Sequence, residues 1–313
     1  MDYTIESKIS DIHGITIDKA ALHAHAIRPS HVRDVVSSKG LEEGIPHPEF
    51  AFPISGVFPY DFDIDGFART LHTALKDQVA GYVMQLWQHG RAIYTLQWNW
   101  AKRPWDGSEA WTSAVRMHIA SCSKLVTAIA MTKLLDEKHI SYDAPIADFL
   151  PSYWAKGQNI DKITFRHLMT HTSGFNTGRS DSDFDFMKDL VAAGVSGTGG
   201  YHYQNVKFGL CRILLSIING NVAAGAFFTM PLVTNDAVWD YLTIQGYVQY
   251  VRDHVFTPAG ATDPTLNHQP NDALAYSFPV QAAGWNSGDL SSMSGGAGWH
   301  MSPDDLLKVM HSF

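Results

Sequence analysis

Two serines and a lysine stand directly in front of a long apolar run in "IASCSKLVTAIAMTKLL", residues 119–135. Ser121 and Lys124 form a Ser-x-x-Lys pair, and residues three apart on a helix lie on one face. A serine hydroxyl becomes a nucleophile when a neighbouring base takes its proton, and burial lowers the pKa of a lysine. The helix N-terminus adds N–H donors and a positive dipole that suit a developing oxyanion. The spacing therefore fits a nucleophile and its base, although it also fits a serine that caps a helix whose lysine points to water.

The residues after this pair show the pattern of a central helix. Its axis is surrounded by apolar side chains, which predicts burial on nearly every face. These side chains are Leu125, Val126, Ile129, Met131, Leu134 and Leu135. Upstream, an amphipathic helix is predicted from Asp63 to about Lys76, because its apolar residues recur at helical spacing. These are Ile64, Phe67, Leu71 and Leu75.

A β-hairpin is predicted between these two helices. The stretch "AGYVMQLWQHGRAIYTLQWNWA", residues 80–101, reads as a strand, a turn at "QHGR" and a second strand. The alternation of Trp87, Trp98 and Trp100 favours packing in the core over a ligand platform.

The rest of the chain is predicted to be mostly helical. Thr164 should cap a short helix, and apolar helices should span residues 205–220 and 241–260, the latter stopped by Pro258 and Gly260. Residues 221–240 lack a clear period and are interpreted as an insertion, and the acidic residues 180–186 as a solvated loop. Ser302 and Pro303 mark the start of a last helix.

Composition excludes some classes of function. A net charge of −8 without a basic run argues against nucleic-acid binding. No apolar run is long enough to predict a membrane span. Cys122 and Cys211 are the only cysteines and fall on stretches that read as buried helices, so no disulfide framework is indicated.

The first 60 residues are interpreted as an irregular N-terminal extension. His23 and His25 would share one face of a strand there, but no carboxylate or cysteine stands at ligand spacing, so surface histidines are favoured over a metal site. The first twenty residues lack the apolar segment of a signal peptide. The protein is thus either intracellular or exported with its signal removed.

Several segments in one order resemble the serine β-lactamase and penicillin-binding protein superfamily. The Ser-x-x-Lys pair is followed by "DAPIADFLP", "LMTHTSGF", "YQN" in place of Tyr-x-Asn, "VFTPAGATDPT" and "GGAGWHMSPDDLLKVM". These segments are most similar to those of the class C-type branch, which includes carboxylesterases and D-amino-acid peptidases. The similarity runs from about Asp63 to the end, roughly four fifths of the chain.

This resemblance implies a role for each matching residue. Ser121 would be the acylated nucleophile, and Lys124 its general base, alone or jointly with Tyr203. Tyr203 would pass a proton to the leaving group and help to activate the deacylating water. Asn205 would orient the substrate amide or Lys124, although it could equally begin the next helix or lie in a turn.

Two neighbouring residues offer competing assignments. Tyr201 lies two positions before Tyr203, but only Tyr203 has an asparagine two positions later. His171 in "THTSG" invites a serine–histidine triad, but the corresponding turn of the resembling family is structural, so His171 is left out of the catalytic set.

The resemblance also implies an α/β (α+β) fold. An antiparallel sheet flanked by helices would form one lobe, and an all-helical lobe would be inserted into it, with a cleft at their boundary. The predicted parts are an extension (1–60), the first part of the α/β lobe (61–118), and the nucleophile helix with the helical lobe (119–313).

The family's third motif, Lys-Thr-Gly or a His-x-Gly variant, should follow "GGAGWH" by many tens of residues, and the sequence stops first. We expect a truncated chain, with a site completed by another chain or a degenerate protein as the alternatives. The missing part would carry the remaining C-terminal strands of the sheet.

The function that this resemblance implies is acyl transfer from an amide, ester or β-lactam to water through Ser121. The alternatives are a carboxylesterase or transesterase, and a non-catalytic binding protein. No metal or organic cofactor is required. The expected partner is a small-molecule or peptide-like substrate, without nucleic acid or a membrane span, and homo-oligomerisation stays open.

Overall fold

The computed structural model describes residues 28–29, 63–179, 181–229 and 231–313. Except for residues 28–29, the predicted extension lies outside the described residues, and His23 and His25 lie outside them too. The chain divides into two compact units. The first comprises the described residues up to Met117 with Gln269–Asn286 and Ser302–Leu307, and the second comprises the described residues of His118–His268, Ser287–Met301 and Lys308–Phe313.

The first unit contains the predicted helix and hairpin. Helix α1 spans Ile64–Leu75. The sheet has strands β1 (Arg28–Pro29), β2 (Gly81–Gln88), β3 (Arg91–Lys102) and β4 (Glu109–Ala110). β3 pairs antiparallel with β1, β2 and β4. At the turn, His89 and Gly90 have φ values of 50° and 77°, and positive φ at both central residues gives the tight turn that joins twisted strands.

Strand β3 carries the core of this unit because it is buried almost along its whole length. Trp98 and Trp100 are buried beside Ile64 and Ala68 of α1, so the prediction of core packing is right for these two tryptophans. Trp87, on β2, is half-buried.

The second unit is largely helical and contains the Ser-x-x-Lys segment. A 3₁₀ turn, Ala120–Cys122, leads into α2, Ser123–Glu137. The following helices are α3 (Phe165–Met169), α4 (Phe184–Ala193), α5 (Asn205–Ile218), α6 (Asn235–Val251) and α7 (Thr257–Ala259), with a π-helical segment, Arg252–Phe256, between the last two. The described strands and α-helices also include β5 (Met117–His118), β6 (His300–Met301) and α8 (Pro303–Ser312), and β5 and α8 each have residues in both units.

Helix boundaries follow the capping residues. Thr164 caps α3 through a reciprocal pair of hydrogen bonds with His167, as in a capping box. The Ser302 hydroxyl accepts from the N–H of Asp305 at 3.1 Å, which confirms the predicted start of α8. These antiparallel strands and helices confirm the mixed α/β fold class.

Three local predictions were wrong. Helix α6 begins at Asn235, inside the predicted insertion, because Thr234 caps it by accepting from the N–H of Ala237. Phe184 is buried and starts α4 inside the predicted acidic loop. Cys122 is exposed in the 3₁₀ turn, whereas Cys211 is buried on α5 as expected.

Within the part of the chain that the structure describes, no helix is both long and apolar enough to cross a membrane.

Candidate functional site

Ser121 lies in the 3₁₀ turn before α2, with its side chain exposed. In a 3₁₀ turn, side chains three residues apart eclipse each other, so Lys124, in the first turn of α2, points the same way. Lys124 is only 7% exposed. The preceding residue, Ala120, adopts a left-handed φ of 46°, which costs energy for any residue with a Cβ and is typical of functional sites. The turn thus presents an exposed hydroxyl above a buried amine.

Three acceptors surround the Lys124 amine. Lys124 Nζ lies 3.1 Å from Ser121 Oγ, 2.7 Å from Asn205 Oδ1 and 2.6 Å from the carbonyl oxygen of Gly296. An ammonium has three N–H donors, and these contacts satisfy all of them. As a neutral amine, Lys124 can keep the bonds to Asn205 and Gly296 and turn its lone pair toward Ser121.

Tyr203 also contacts Ser121. Its hydroxyl donates to Ser121 Oγ at 2.6 Å, and Lys124 Nζ lies 4.8 Å from the centre of its ring. The ring is 46% exposed. The structure therefore brings together Ser121, Lys124, Tyr203 and Asn205, the four residues predicted for the site.

The surroundings shift the pKa values of both candidate bases. Burial lowers the pKa of Lys124, an effect that a hydrogen bond to Tyr203 and the charge of Tyr203 partly offset. Burial raises the pKa of Tyr203, but hydrogen bonds to Lys124 and Ser121 and the charge of Lys124 together bring that pKa below its ordinary value. Both pKa values are thus lowered from their ordinary range toward neutral pH, the direction that favours general acid–base catalysis.

The Gly295–Gly296 backbone can reach Lys124 because neither residue has a side chain. Gly295 has a φ of 90°, and a Cβ there would lie 2.3 Å from the Phe208 carbonyl oxygen. A Cβ at Gly296 would lie 2.9 Å from the Asn205 carbonyl oxygen. The segment "GGAGWH" must therefore begin with small residues to pack against α5 and to place its carbonyl on Lys124.

A buried hydrogen-bond network holds this segment against α2. Thr127 Oγ1 donates to the Gly295 carbonyl at 2.7 Å and lies 2.7 Å from the Tyr247 hydroxyl. Trp299 donates through Nε1 to Tyr247 at 3.0 Å. This network fixes the backbone on which the third acceptor of Lys124 depends.

Two residues of the site were not predicted to belong to it. His171 lies with its ring 4.5 Å from that of Tyr203, and its Nδ1 accepts from the N–H of Gln204 at 3.3 Å. Burial, followed by the charges of Lys207 and Lys124, lowers the pKa of His171 to about 4. Lys207 is fully buried on α5. Its place two residues after Asn205 was visible in the sequence, but its burial was not.

Tyr201 and Tyr203 differ in exposure and in what they contact. Tyr201 is 67% exposed and its ring lies beside His171, 5.9 Å away, whereas Tyr203 contacts Ser121. The groups gathered round Ser121 are an amine, a phenol and an amide, which suit proton transfer.

Comparison with known proteins points to one family. The family model described as Beta-lactamase matches residues 67–227, just over half of the 313 residues. A Bacillus subtilis protein provisionally assigned as the penicillin-binding protein PbpX is 24% identical over 202 residues, which are 61% of this chain and 44% of that protein. The esterase/beta-lactamase LipL of Mycobacterium tuberculosis is 27% identical over 136 residues, 41% of this chain and 31% of that protein. The chain therefore spans less than half the length of these relatives.

Solved structures share the fold. The crystal structure of a class C beta lactamase from Rhodobacter sphaeroides matches with a TM-score of 0.58 at 20% identity, over 78% of this chain and 64% of that one.

Proposed function

Because the chain belongs to the beta-lactamase family, we propose that it is a serine hydrolase that forms an acyl-enzyme at Ser121 and passes the acyl group to water. One observation carries this proposal. The Ser121 oxygen lies within hydrogen-bond distance of two groups that can take its proton once they are themselves deprotonated, Lys124 Nζ at 3.1 Å and Tyr203 OH at 2.6 Å.

In the acylation step, Ser121 Oγ bonds to the carbonyl carbon of the substrate while its proton passes to neutral Lys124, alone or jointly with Tyr203. The tetrahedral intermediate then expels the leaving group, which receives a proton from Tyr203, and Lys124 restores that proton. Deacylation runs the same transfers in reverse: water gives up a proton, attacks the ester, and Ser121 regains its hydroxyl. Asn205 holds Lys124 through Oδ1 during both steps.

Burial around Lys124 favours an enzyme over a purely binding protein. A buried amine is costly for the fold, and here it faces a reactive hydroxyl rather than a carboxylate. Such a group is retained where its chemistry is used.

The acyl donor is an ester, an amide or a β-lactam. The name of the Mycobacterium tuberculosis relative includes two of these classes, esterase and beta-lactamase. A panel of a p-nitrophenyl ester, a chromogenic cephalosporin and a D-alanyl anilide therefore tests the proposal and ranks the donors.

Three proteins should be compared on this panel: the wild type, Ser121→Ala and Cys122→Ala. Cys122 is the exposed thiol next to Ser121 and controls for a sulfur nucleophile. We expect Ser121→Ala to lose at least roughly a thousandfold in kcat/KM on every accepted donor, and Cys122→Ala to keep wild-type rates. Equal rates for the wild type and Ser121→Ala would overturn the proposal.

A further inference from the structure

Lys207 is a second buried lysine close to Tyr203 with no role in the chemistry described above. It lies on α5, four residues after Tyr203, and its side chain has 0% exposure. Its Nζ donates to the carbonyl oxygens of His171 at 2.8 Å and of His202 at 2.6 Å. Among the residues that the structure describes, no carboxylate forms an ion pair with it.

This lysine is costly to bury. A buried cation is usually paired with an anion or needed for function. Here the partners of the Lys207 ammonium in the described part of the chain are two neutral carbonyl groups. Burial lowers the pKa of Lys207 to about 8. The amine is therefore largely protonated near neutral pH, and a fully apolar side chain at the same place would have avoided the penalty.

The two carbonyl groups belong to the backbone that presents Tyr203. The peptide of His202 directly precedes Tyr203, and its N–H donates to the carbonyl oxygen of His171 at 2.9 Å. On the other side, the N–H of Gln204 donates to His171 Nδ1 at 3.3 Å. The neighbours of Tyr203 are thus tied to His171 on both sides, and Lys207 joins the same two segments from within the core.

Tyr203 gains from this support because its neighbours, among them the His171 ring, cover it only in part. Its ring is 46% exposed, yet its hydroxyl must stay 2.6 Å from Ser121 Oγ. A phenol at the end of a half-exposed side chain follows any movement of its backbone. A displacement of about 1 Å can cost roughly a hundredfold in rate.

We infer that Lys207 is a positioning residue for Tyr203: its ammonium clamps the carbonyl oxygens of His171 and His202 and so holds the phenol at Ser121. This inference rests on the proposed function, since it assigns Lys207 a part in acyl transfer at Ser121. Lys207 acts only through Tyr203, by way of the two carbonyl groups that it binds.

Rates of hydrolysis of two esters with the same acyl group distinguish a positioning role for Lys207 from a role in stability alone. An ethyl ester has a poor leaving group that needs a proton from Tyr203, whereas a p-nitrophenyl ester departs with little help. Tyr203→Phe should therefore slow the ethyl ester much more than the p-nitrophenyl ester. Lys207→Met, which removes the clamp and keeps the length of the side chain, should show the same selectivity, with a loss of roughly 10- to 100-fold on the ethyl ester.

Lys133→Met is the matched control. Lys133 also donates to a backbone carbonyl, that of His254 at 3.0 Å, but does so at an exposed position away from Tyr203. Lys133→Met should leave the rates on both esters unchanged. The double variant Lys207→Met/Tyr203→Phe should be no slower on the ethyl ester than Tyr203→Phe, because the two changes act through one group.

Three results would overturn the inference: equal losses on both esters in Lys207→Met, no loss in Lys207→Met where Tyr203→Phe is slow, or additive losses in the double variant. If Lys207→Met does not fold, Lys207→Gln takes its place because it keeps an N–H donor. Its ratio of ethyl-ester loss to p-nitrophenyl-ester loss should lie between those of the wild type and Tyr203→Phe. Equal losses on the two esters in Lys207→Gln would count against the clamp. Equal ester rates for the wild type and Ser121→Ala would instead refute the proposed function, and with it this inference.

Discussion

Replacing Asn205 tests whether deprotonation of Lys124 controls the attack by Ser121. Asn205 Oδ1 lies 2.7 Å from Lys124 Nζ and binds the charged ammonium more strongly than the neutral amine. Asn205→Ala removes that acceptor and should lower the pKa of Lys124 further. Asn205→Asp puts a carboxylate in its place and should raise it.

The expected shift follows from the strength of this one hydrogen bond. A hydrogen bond to a charged group contributes about 1.5–3 kcal/mol and one between neutral groups about 0.5–1.5 kcal/mol. The difference is about 1–1.5 kcal/mol, and one pKa unit corresponds to about 1.4 kcal/mol, so Asn205→Ala should lower the pKa of Lys124 by about one unit. A carboxylate this close to an amine shifts its pKa by about 1–3 units. Screening by solvent is small because Lys124 is 7% exposed.

The assay is the second-order rate of fluorophosphonate labelling, followed by intact mass from about pH 5 to about pH 10. Fluoride leaves without a proton donor, so the acid limb of this profile reports the base that activates Ser121. The limb should move to lower pH in Asn205→Ala and to higher pH in Asn205→Asp. Asn219→Ala, which changes a half-buried asparagine at the C-terminal end of the same helix, should leave the acid limb in place.

Opposite shifts in the two variants are the decisive feature. A limb that stays fixed in both, or moves the same way in both, would refute the reasoning, because neither outcome is compatible with Lys124 as the titrating base beside Asn205.

Three further predictions concern stability. His171 has a pKa of about 4 in the folded chain against an ordinary 6.5, so the unfolded chain binds more protons between these two values. Stability therefore falls as pH drops through this range, by up to about 3 kcal/mol (2.5 units at about 1.4 kcal/mol each). In urea unfolding at pH 7 and pH 4.5, His171→Gln should lose this pH dependence, and an unchanged dependence would contradict the prediction. Gly295→Ala should lower the free energy of unfolding by at least about 2 kcal/mol because its Cβ clashes with the Phe208 carbonyl group. Gly197→Ala is the control, since a Cβ there meets nothing within 4 Å. Equal urea midpoints for the two variants would refute the clash. Thr164→Ala should cost about 1 kcal/mol through loss of the α3 cap, and no change in midpoint would argue against that cap.

Local patterns in the sequence were sufficient to predict α1, the hairpin and the Ser121–Lys124 segment with α2. The helical spacing of apolar residues predicted α1, and apolar residues all round the helix axis predicted α2. In the hairpin turn, the "HG" pair has the positive φ values that such a turn requires. The spacing of Ser121 and Lys124 and the asparagine two residues after Tyr203 selected the side chains that meet in space. Each of these signals spans only a few residues.

Other features depend on contacts that no local pattern reveals. The third acceptor of Lys124 is a backbone carbonyl, that of Gly296, and a carbonyl group has no sequence signature. The burial of Lys207 depends on carbonyl groups from two separate turns, and no local pattern on α5 marks it. The early start of α6 could have been found, because Thr234 stands before an acidic first turn, a usual N-terminal signal.

The most direct test of acylation at Ser121 is intact-mass analysis of the chain after exposure to a fluorophosphonate and, separately, to a penicillin. Peptide mapping then locates any adduct, with Ser121→Ala and Cys122→Ala treated in parallel. We predict one adduct with the fluorophosphonate, located on Ser121, absent from Ser121→Ala and retained in Cys122→Ala; a penicillin adduct at the same residue would add β-lactams to the accepted donors. An adduct on another residue, or labelling that persists in Ser121→Ala, would contradict the assignment of Ser121 as the nucleophile.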